Sequence, residues 1–293
     1  MHATLAQMRV AVIGHVEWTK IACVQSTPRA GDVVHADTVW EGPAGGGAVA
    51  AVQLAKLAGR CFMFTALGDD EAGRRSHAEL ELQGVCVVAA VREQPTRQAV
   101  SLIDATCERT TITLGDRLQP ASTDHLPWDE LKTFDAVYFT AGDAPLLRRA
   151  RTAQRLVVTC RELDTAAAAN VALDGLVGSG RDPAERYRPA VLGRPPALLV
   201  TTFGADGGRF SVRGGGERSY QAVNPPGPVV DSYGVGDSFA GALTFGFAKG
   251  LDPEDTLSLA AQCGAACASV RGPFALRSMP RTSQPTAMSM TAH

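Results

Sequence analysis

The chain has 293 residues, 45% of them hydrophobic and 20% charged, with a formal net charge of −2. That balance supports a sizeable core and argues against both wholesale disorder and a strongly basic nucleic-acid binder. No stretch reaches the roughly 20 apolar residues of a membrane helix, and the N-terminus lacks the basic region and long apolar run of a signal peptide. A cytoplasmic location with no membrane or nucleic-acid partner is therefore the expectation.

Residues 9–14 form a short apolar run ending in glycine, read as a buried strand. Residues 15–43 carry β-branched and turn residues in irregular strands. A helix over 45–58 follows a glycine cluster, then a strand over 61–67 and an amphipathic helix over 69–83 closed by Gly84. Strands follow at 85–91, 98–104 and 109–114, then a strand at 134–140 and a helix at 144–154. Further strands are expected at 156–160, 175–177 and 197–203, with a short helix at 183–191 and a hairpin of 209–212 with 218–223. Two long helices, 236–249 and 253–270, close the domain. This alternation indicates an α/β fold with a mostly parallel sheet covered on both faces. The β segments at about 15–43 and 95–116 interrupt it and would form a lid over the strand ends. One domain spanning 1–280 is expected, with 281–293 a flexible tail.

The seven cysteines contain no CxxC pair, and the six histidines show no metal-ligand spacing. Cys263 and Cys267, four apart on the last helix, read as small buried residues. Glycine is overrepresented, at 30 residues, and sixteen of these fall within 42–47, 204–216 and 227–250. The segment Val229 to Gly241 (VVDSYGVGDSFAG) passes from an apolar run through a glycine turn into a helix. Gly234 and Gly236 let backbone amides approach a ligand, and the helix start adds unpaired amides and the positive dipole end. Together these make an anion site. Asp237 at its mouth would repel a passively bound anion, whereas it suits removal of a proton from an attacking hydroxyl. Helix capping by Asp237 is the structural alternative. P-loop, dinucleotide and protein-kinase motifs are absent from the sequence.

DSYGVGDSFAGA resembles the C-terminal signature of the ribokinase-like (PfkB) carbohydrate kinases, D-T-x-G-A-G-D-x-F. Residues 43–85, from the glycine cluster through Gly68-Asp69-Asp70-Glu71-Ala72-Gly73 to Gly84-Val85, resemble its first signature. Pro28 to Asp32 is similar to P-x-x-G-[DE], Glu108-Arg109-Thr110 to G-E-R-T, and Thr202 to Gly207 to T-x-G-x-x-G. The resemblance implies a three-layer α/β/α kinase with a small β lid, using ATP and Mg²⁺, with K⁺ as a further cofactor. It implies Asp237 as catalytic base and Gly234, Val235 and Gly236 as the anion hole. Thr202, Gly204, Gly207 and Gln262 would border the nucleotide. Asp182 and Glu185, in a variant of N-x-x-E, would orient Mg²⁺ through water. Asp231 would help a monovalent-cation site.

On the acceptor side the pattern departs from the family. Thr19 occupies the place of an Asp that binds sugar hydroxyls. In the wall Gly45, Gly46, Gly47, Val49 takes the place of an Asn. Ribose is therefore a poor fit, and His15, Glu17 or Arg97 would supply other contacts. The expected function is ATP-dependent phosphorylation of a hydroxyl, as hydroxymethyl, on a sugar-like acceptor. The alternatives are a nucleoside kinase of the same fold and a catalytically weak metabolite sensor. Lid edge strands invite pairing between copies, so homodimerisation through the lid is a further expectation.

Overall fold

The computed structural model describes residues 8–274. Thirteen strands and six α-helices are found among the described residues. In chain order they are β1 (Val10–Ile13), β2 (Glu17–Cys23), β3 (Thr38–Ala44), α1 (Gly46–Ala58), β4 (Cys61–Gly68), α2 (Glu71–Leu82), β5 (Val85–Arg92), β6 (Gln98–Ile103) and β7 (Arg109–Leu114). Then come β8 (Ala136–Phe139), α3 (Ala144–Ala150), β9 (Arg155–Thr159), α4 (Leu163–Ala169), β10 (Gly175–Ser179), β11 (Leu198–Thr202), β12 (Gly208–Val212), β13 (Glu217–Tyr220), α5 (Val235–Lys249) and α6 (Pro253–Ala268). The expected tail at 281–293 lies outside the described residues. No helix among the described residues is long and apolar enough to cross a membrane.

Nine strands form the main sheet in the order β13-β12-β11-β10-β9-β8-β1-β4-β5, parallel except at β12 and β13. Alternation along the central strands divides the core into two layers. Val10 and Val12 of β1, Tyr138, Val157 and Val177 pack with α1, α5 and α6 on one face. Ala11, Ile13, Phe139, Val158 and Leu176 pack with α3 and α4 on the other. A parallel strand buried on both faces needs an apolar run rather than an alternating one, which is what VAVI supplies. The expected three-layer α/β/α architecture is present.

The chain leaves β1 toward β4 and β5 on one side and returns through β8, β9 and β10 on the other. The crevice between the ends of β1 and β8 is thus a topological switch point, where open α/β sheets bind ligands. Gly14 and Thr140 meet there, with a Cβ at Gly14 only 3.2 Å from the Thr140 hydroxyl. A second sheet, β3-β2-β6-β7, forms the lid. Its inner face carries Glu17, Thr19 and Ile21, opposite Arg97, Ala99, Ser101 and Ile103 through the β2–β6 register. The Ser101 hydroxyl bonds Thr111 at 2.8 Å.

Several expected elements are corrected. The segment 15–43 holds two regular antiparallel strands, β2 and β3. The helix expected over 144–154 stops at Ala150, and the Arg151 guanidinium folds back to the Ala153 and Gln154 carbonyls and to Asp174. The stretch 183–191 forms two 3-10 turns, each opened by a proline, because a proline mid-segment cannot continue an α-helix. Helix α4 was not expected: its sequence LDTAAAA has no amphipathic period to announce it, and it ends where Asn170 turns left-handed, φ 51°.

Gly-Asp-Asp-Glu-Ala-Gly, residues 68–73, braces the lid rather than touching the crevice. Asp70 caps α2 by accepting from the Gly73 amide at 2.8 Å, and it also accepts from the amide and hydroxyl of Thr96 at 2.9 and 2.8 Å. A Cβ at Gly73 would lie 2.2 Å from the Gly68 carbonyl, so only glycine closes this turn. The brace fixes Thr96 and hence Arg97 at the base of β6.

Candidate active site

Helix α5 begins at Gly234, whose φ of 79° is left-handed. A Cβ there would also lie 2.9 Å from Pro273 and 3.1 Å from Val49, so glycine is required twice. The first-turn amides of Val235, Gly236 and Asp237 have no carbonyl four residues back to bond, while the Ser238 amide closes the first turn on Gly234 at 2.8 Å. A Cβ on Gly236 would meet nothing within 4 Å. Unpaired amides, the positive helix end and open space in front of Gly236 make a geometry ready for an anion.

Asp237 sits in this first turn and faces the start of α1. A Cβ at Gly46 would lie 2.9 Å from its Oδ1 and 3.6 Å from the Thr140 hydroxyl. Burial pushes the Asp237 carboxyl up to about 6; Arg109 and Arg161 draw it down, and Glu185 and Glu17 push it up. Asp237 is not the cap of α5, since Gly234 holds that position without a side-chain bond. The capping alternative does not hold.

The glycines of the wall have separate reasons. Gly45 has φ 84° and lies under the His15 ring, 3.1 Å from a Cβ there. Gly47 is pressed against the His15 backbone, 2.6 Å from a Cβ to its carbonyl oxygen, so it brings α1 against β1. Val49 is buried with Ile21, Ala44, Ile103 and Tyr233. It is a packing residue behind Gly234, and an Asn amide there would face an apolar cluster. Thr19 is fully buried on the lid, and its hydroxyl has no well-formed hydrogen bond.

Of the polar groups around the crevice, His15, Glu17 and Arg97 were expected as acceptor-side contacts, while Arg109 and Arg117 were given no role. Glu17, 7% exposed, accepts from the Tyr233 phenol at 3.1 Å, and its other oxygen lies 3.5 Å from the Arg97 Nε. Burial raises the Glu17 carboxyl, with Arg97, Tyr233, Arg109 and Arg117 opposing. The Arg109 guanidinium lies 5.4 Å from the Tyr233 ring centre. His15 is held down to about 3, first by burial and then by Arg117, Arg97 and Arg161; it is a neutral imidazole whose buried Nδ1 has no partner. The sequence signal for these groups was weak, because arginines scattered over 97–161 share no spacing.

On the other side of Asp237, Glu185 accepts from the Ser179 amide at 2.9 Å and pairs with the Arg161 Nε at 2.7 Å. Asp182 also pairs with Arg161 and caps the 3-10 turn through the Ala184 amide. Thr202 ends β11, followed by Gly204 and Gly207 with φ 64° and 76°. A Cβ on Gly207 would lie 2.3 Å from the Tyr220 carbonyl and 2.9 Å from the Ala222 amide. Tyr220, Gln221 and Ala222 in turn line a cavity of about 520 Å³ closed by Leu257 and Ser258 of α6. Gln262 donates to Ser258 at 3.3 Å.

Asp231 is buried, and its two oxygens accept from the Tyr233 and Gly272 amides at 2.7 and 3.0 Å. Burial raises its carboxyl, opposed by those two amides. Both oxygens thus clamp the α5 entry to the 270–274 segment.

The pfkB family carbohydrate kinase model matches residues 7–191 and 176–278. A 69-residue stretch, 23% of each chain, is 48% identical to acarbose 7(IV)-phosphotransferase of Actinoplanes sp.; the match thus spans under a quarter of that relative's length. The ribokinase of Arabidopsis thaliana, solved with ribose and ATP, superposes with a TM-score of 0.68 at 18% identity, covering 90% of this chain and 94% of that one. The adenosine kinase of Sinorhizobium meliloti gives 0.73 at 20% identity, covering 92% and 97%. With a ribokinase-like fold and a family match running nearly end to end, the chain belongs to the pfkB family of carbohydrate kinases.

Proposed function

We propose that the chain transfers the γ-phosphoryl group of ATP to a hydroxymethyl group of a sugar-like acceptor bound between the lid and the Gly45–Gly46 wall. The observation that carries this reading is the position of Asp237: its carboxylate lies against Gly46, one residue from the open amide of Gly236. A hydroxyl seated at Gly46 would be within reach of Asp237, with the amides of Val235 and Gly236 aligned on the phosphoryl group being transferred. Positioning and electrostatic stabilisation are what this transfer requires. A carboxylate with a pKa near 6 is ionised at neutral pH and is a stronger base than an ordinary Asp.

Thr202, Gly204 and Gly207 would hold the nucleotide phosphates, with the base in the cavity walled by Tyr220 and α6 near Gln262. For Mg²⁺, no group of three or more metal-ligating side chains occurs among the described residues. A hydrated Mg²⁺ needs only one or two carboxylates beside the substrate phosphates, and Glu185, facing Asp237, fits that role through water, with Asp182 behind it. Bound there, Mg²⁺ would neutralise phosphate charge. No role is derived for K⁺.

The test is ADP release against sugars, sugar phosphates, sugar acids and nucleosides, with Asp237→Asn as control. Acceptor-dependent release that the variant lowers at least about 10²-fold is expected. Preferred turnover of nucleosides would move the acceptor class. Ligand binding without ADP release across the panel would favour a sensor.

A further inference from the structure

Arg161 stands where the carboxylates on the nucleotide side of Asp237 converge. It follows β9 in a 3-10 turn, Cys160–Glu162, and its amide donates to the Thr159 hydroxyl at 3.3 Å. The turn Pro183–Glu185 lies close against this one because of Gly178. A Cβ at Gly178 would lie 2.4 Å from the Glu185 carbonyl oxygen and 2.7 Å from the Cys160 Cβ. The Arg161 Nε therefore pairs with Glu185 at 2.7 Å, and a terminal nitrogen pairs with Asp182. The charge of Arg161 also draws down Asp237, which Glu185 pushes up.

These contacts engage the two carboxylates assigned to Mg²⁺ above. Glu185 Oε1 faces Arg161, and its Oε2 accepts from the Ser179 amide at 2.9 Å. Asp182 Oδ1 accepts from the Ala184 amide at 2.9 Å, and its Oδ2 faces Arg161. The two amides are fixed parts of the backbone. The guanidinium is the partner that can leave, because it is carried on a long side chain that is 44% exposed. Pairs with solvent access are cheap to break. A hydrated Mg²⁺ needs one or two carboxylates together with the phosphates of its substrate. A dication placed beside a guanidinium, which cannot lose its proton, is repelled by it. The two cations thus compete for one pair of carboxylates, and the phosphates of a nucleotide supply the negative charge that tips the balance.

We propose that Arg161 is the resident counter-cation of the metal carboxylates: it neutralises Glu185 and Asp182 in the free protein and yields them only when the metal arrives with a nucleotide. Bare metal is kept out, so the order of binding is built into this ion pair. Arg161 is a positioning residue that acts through Glu185. The inference rests on the placement of the metal at Glu185 in the reading above, but not on the acceptor or on turnover.

The experiment titrates the full chain with Mn²⁺ alone and follows unbound Mn²⁺ by electron paramagnetic resonance. A parallel titration contains ADP. The parent should bind Mn²⁺ at least about 10-fold more weakly without ADP than with it, the size of a charge-assisted contact. Arg161→Gln should tighten the nucleotide-free binding about 10-fold, and adding Glu185→Gln should abolish that gain. Arg161→Lys keeps the charge and should bind Mn²⁺ as weakly as the parent. Arg161→Met, similar in length and uncharged, serves as the second variant where the first does not fold. A merely structural role would loosen the site and weaken metal binding instead. Binding in Arg161→Gln or Arg161→Met no tighter than in the parent, a gain that survives Glu185→Gln, or an equal gain in Arg161→Lys would overturn the proposal. The expected Mn²⁺ results with no ADP release from any acceptor would leave the proposal standing and remove the kinase reading. Turnover that depends on Asp237, with unchanged Mn²⁺ binding in Arg161→Gln, would do the reverse.

Discussion

The phenol of Tyr233 donates to Oε1 of Glu17 at 3.1 Å, joining residues 216 positions apart in the chain. Tyr233 stands at the entry to the anion-binding helix and Glu17 on the inner face of the lid. The bond therefore ties the lid to the phosphoryl site. Removing it with Tyr233→Phe leaves the buried Glu17 carboxylate with only its loose contact to Arg97. A hydrogen bond to a charged group contributes about 1.5–3 kcal/mol. The expected outcome is a KM for the acceptor raised about 10-fold, with the KM for ATP little changed, measured by steady-state ADP release.

Asp237 carries opposite consequences for activity and stability. As a base it must be ionised, so kcat/KM should rise with pH through about 6, the pKa its burial imposes, and level off above that. The folded pKa lies above the ordinary Asp value of about 3.9, so the folded state binds the extra proton and loses stability as pH rises between the two values. Asp237→Asn removes a charge the fold tolerates poorly. It should raise Tm at pH 7.5 by a few degrees while lowering kcat at least about 10²-fold. A variant less stable than the parent at pH 7.5, by calorimetry, would contradict this assignment.

Two glycines two positions apart should answer differently to the same methyl group. At Gly236 a Cβ meets nothing within 4 Å, whereas at Gly234 it meets Pro273 at 2.9 Å with φ at 79°. Gly236→Ala should leave Tm nearly unchanged and lower kcat, because the methyl enters space kept for the phosphoryl group. Gly234→Ala should cost at least about 1–2 kcal/mol of stability from the left-handed backbone alone. Paired urea titrations and kinetics check both.

Val49→Asn places the amide that the resemblance associates with sugar binding. The cluster of Ile21, Ala44, Ile103 and Tyr233 around Val49 offers that amide no partner. The variant should lose about 1–3 kcal/mol of stability and gain no turnover of ribose. Restored ribose phosphorylation would show that position 49 faces the acceptor.

The expected roles of the glycines divide once the chain is folded. Gly234 and Gly236 shape the anion site. Gly241 and Gly246 bring helices together instead: a Cβ at Gly241 would lie 2.8 Å from the Ala50 carbonyl of α1, and one at Gly246 would lie 2.6 Å from Thr256 of α6. Gly214, Gly215 and Gly216 turn the β12–β13 hairpin at its far end, since β12 runs antiparallel and only Gly207 and Gly208 lie by the strand ends. Glycine excess thus reflects close backbone approach in general, with phosphate handling only one instance.

The sequence by itself determined the α/β alternation, the lid insertions and the Gly234–Asp237 turn, because each is written locally: in apolar periodicity, in turn residues, and in motifs a few residues long. It did not reveal α4, whose alanine run lacks a period, nor the end of α3, which Arg151 decides through contacts with Ala172 and Asp174 some twenty residues on. Above all, it left the acceptor side undefined. Thr19 and Val49 stood at the expected places but are buried in the lid and the core. The polar groups that face the crevice, His15, Glu17, Arg97, Arg109 and Arg117, come together only when the lid strands β2, β6 and β7 align over the β1–β8 switch point. Charge complementarity depends on distance in space, and for these residues that distance is fixed by strand register rather than by separation along the chain.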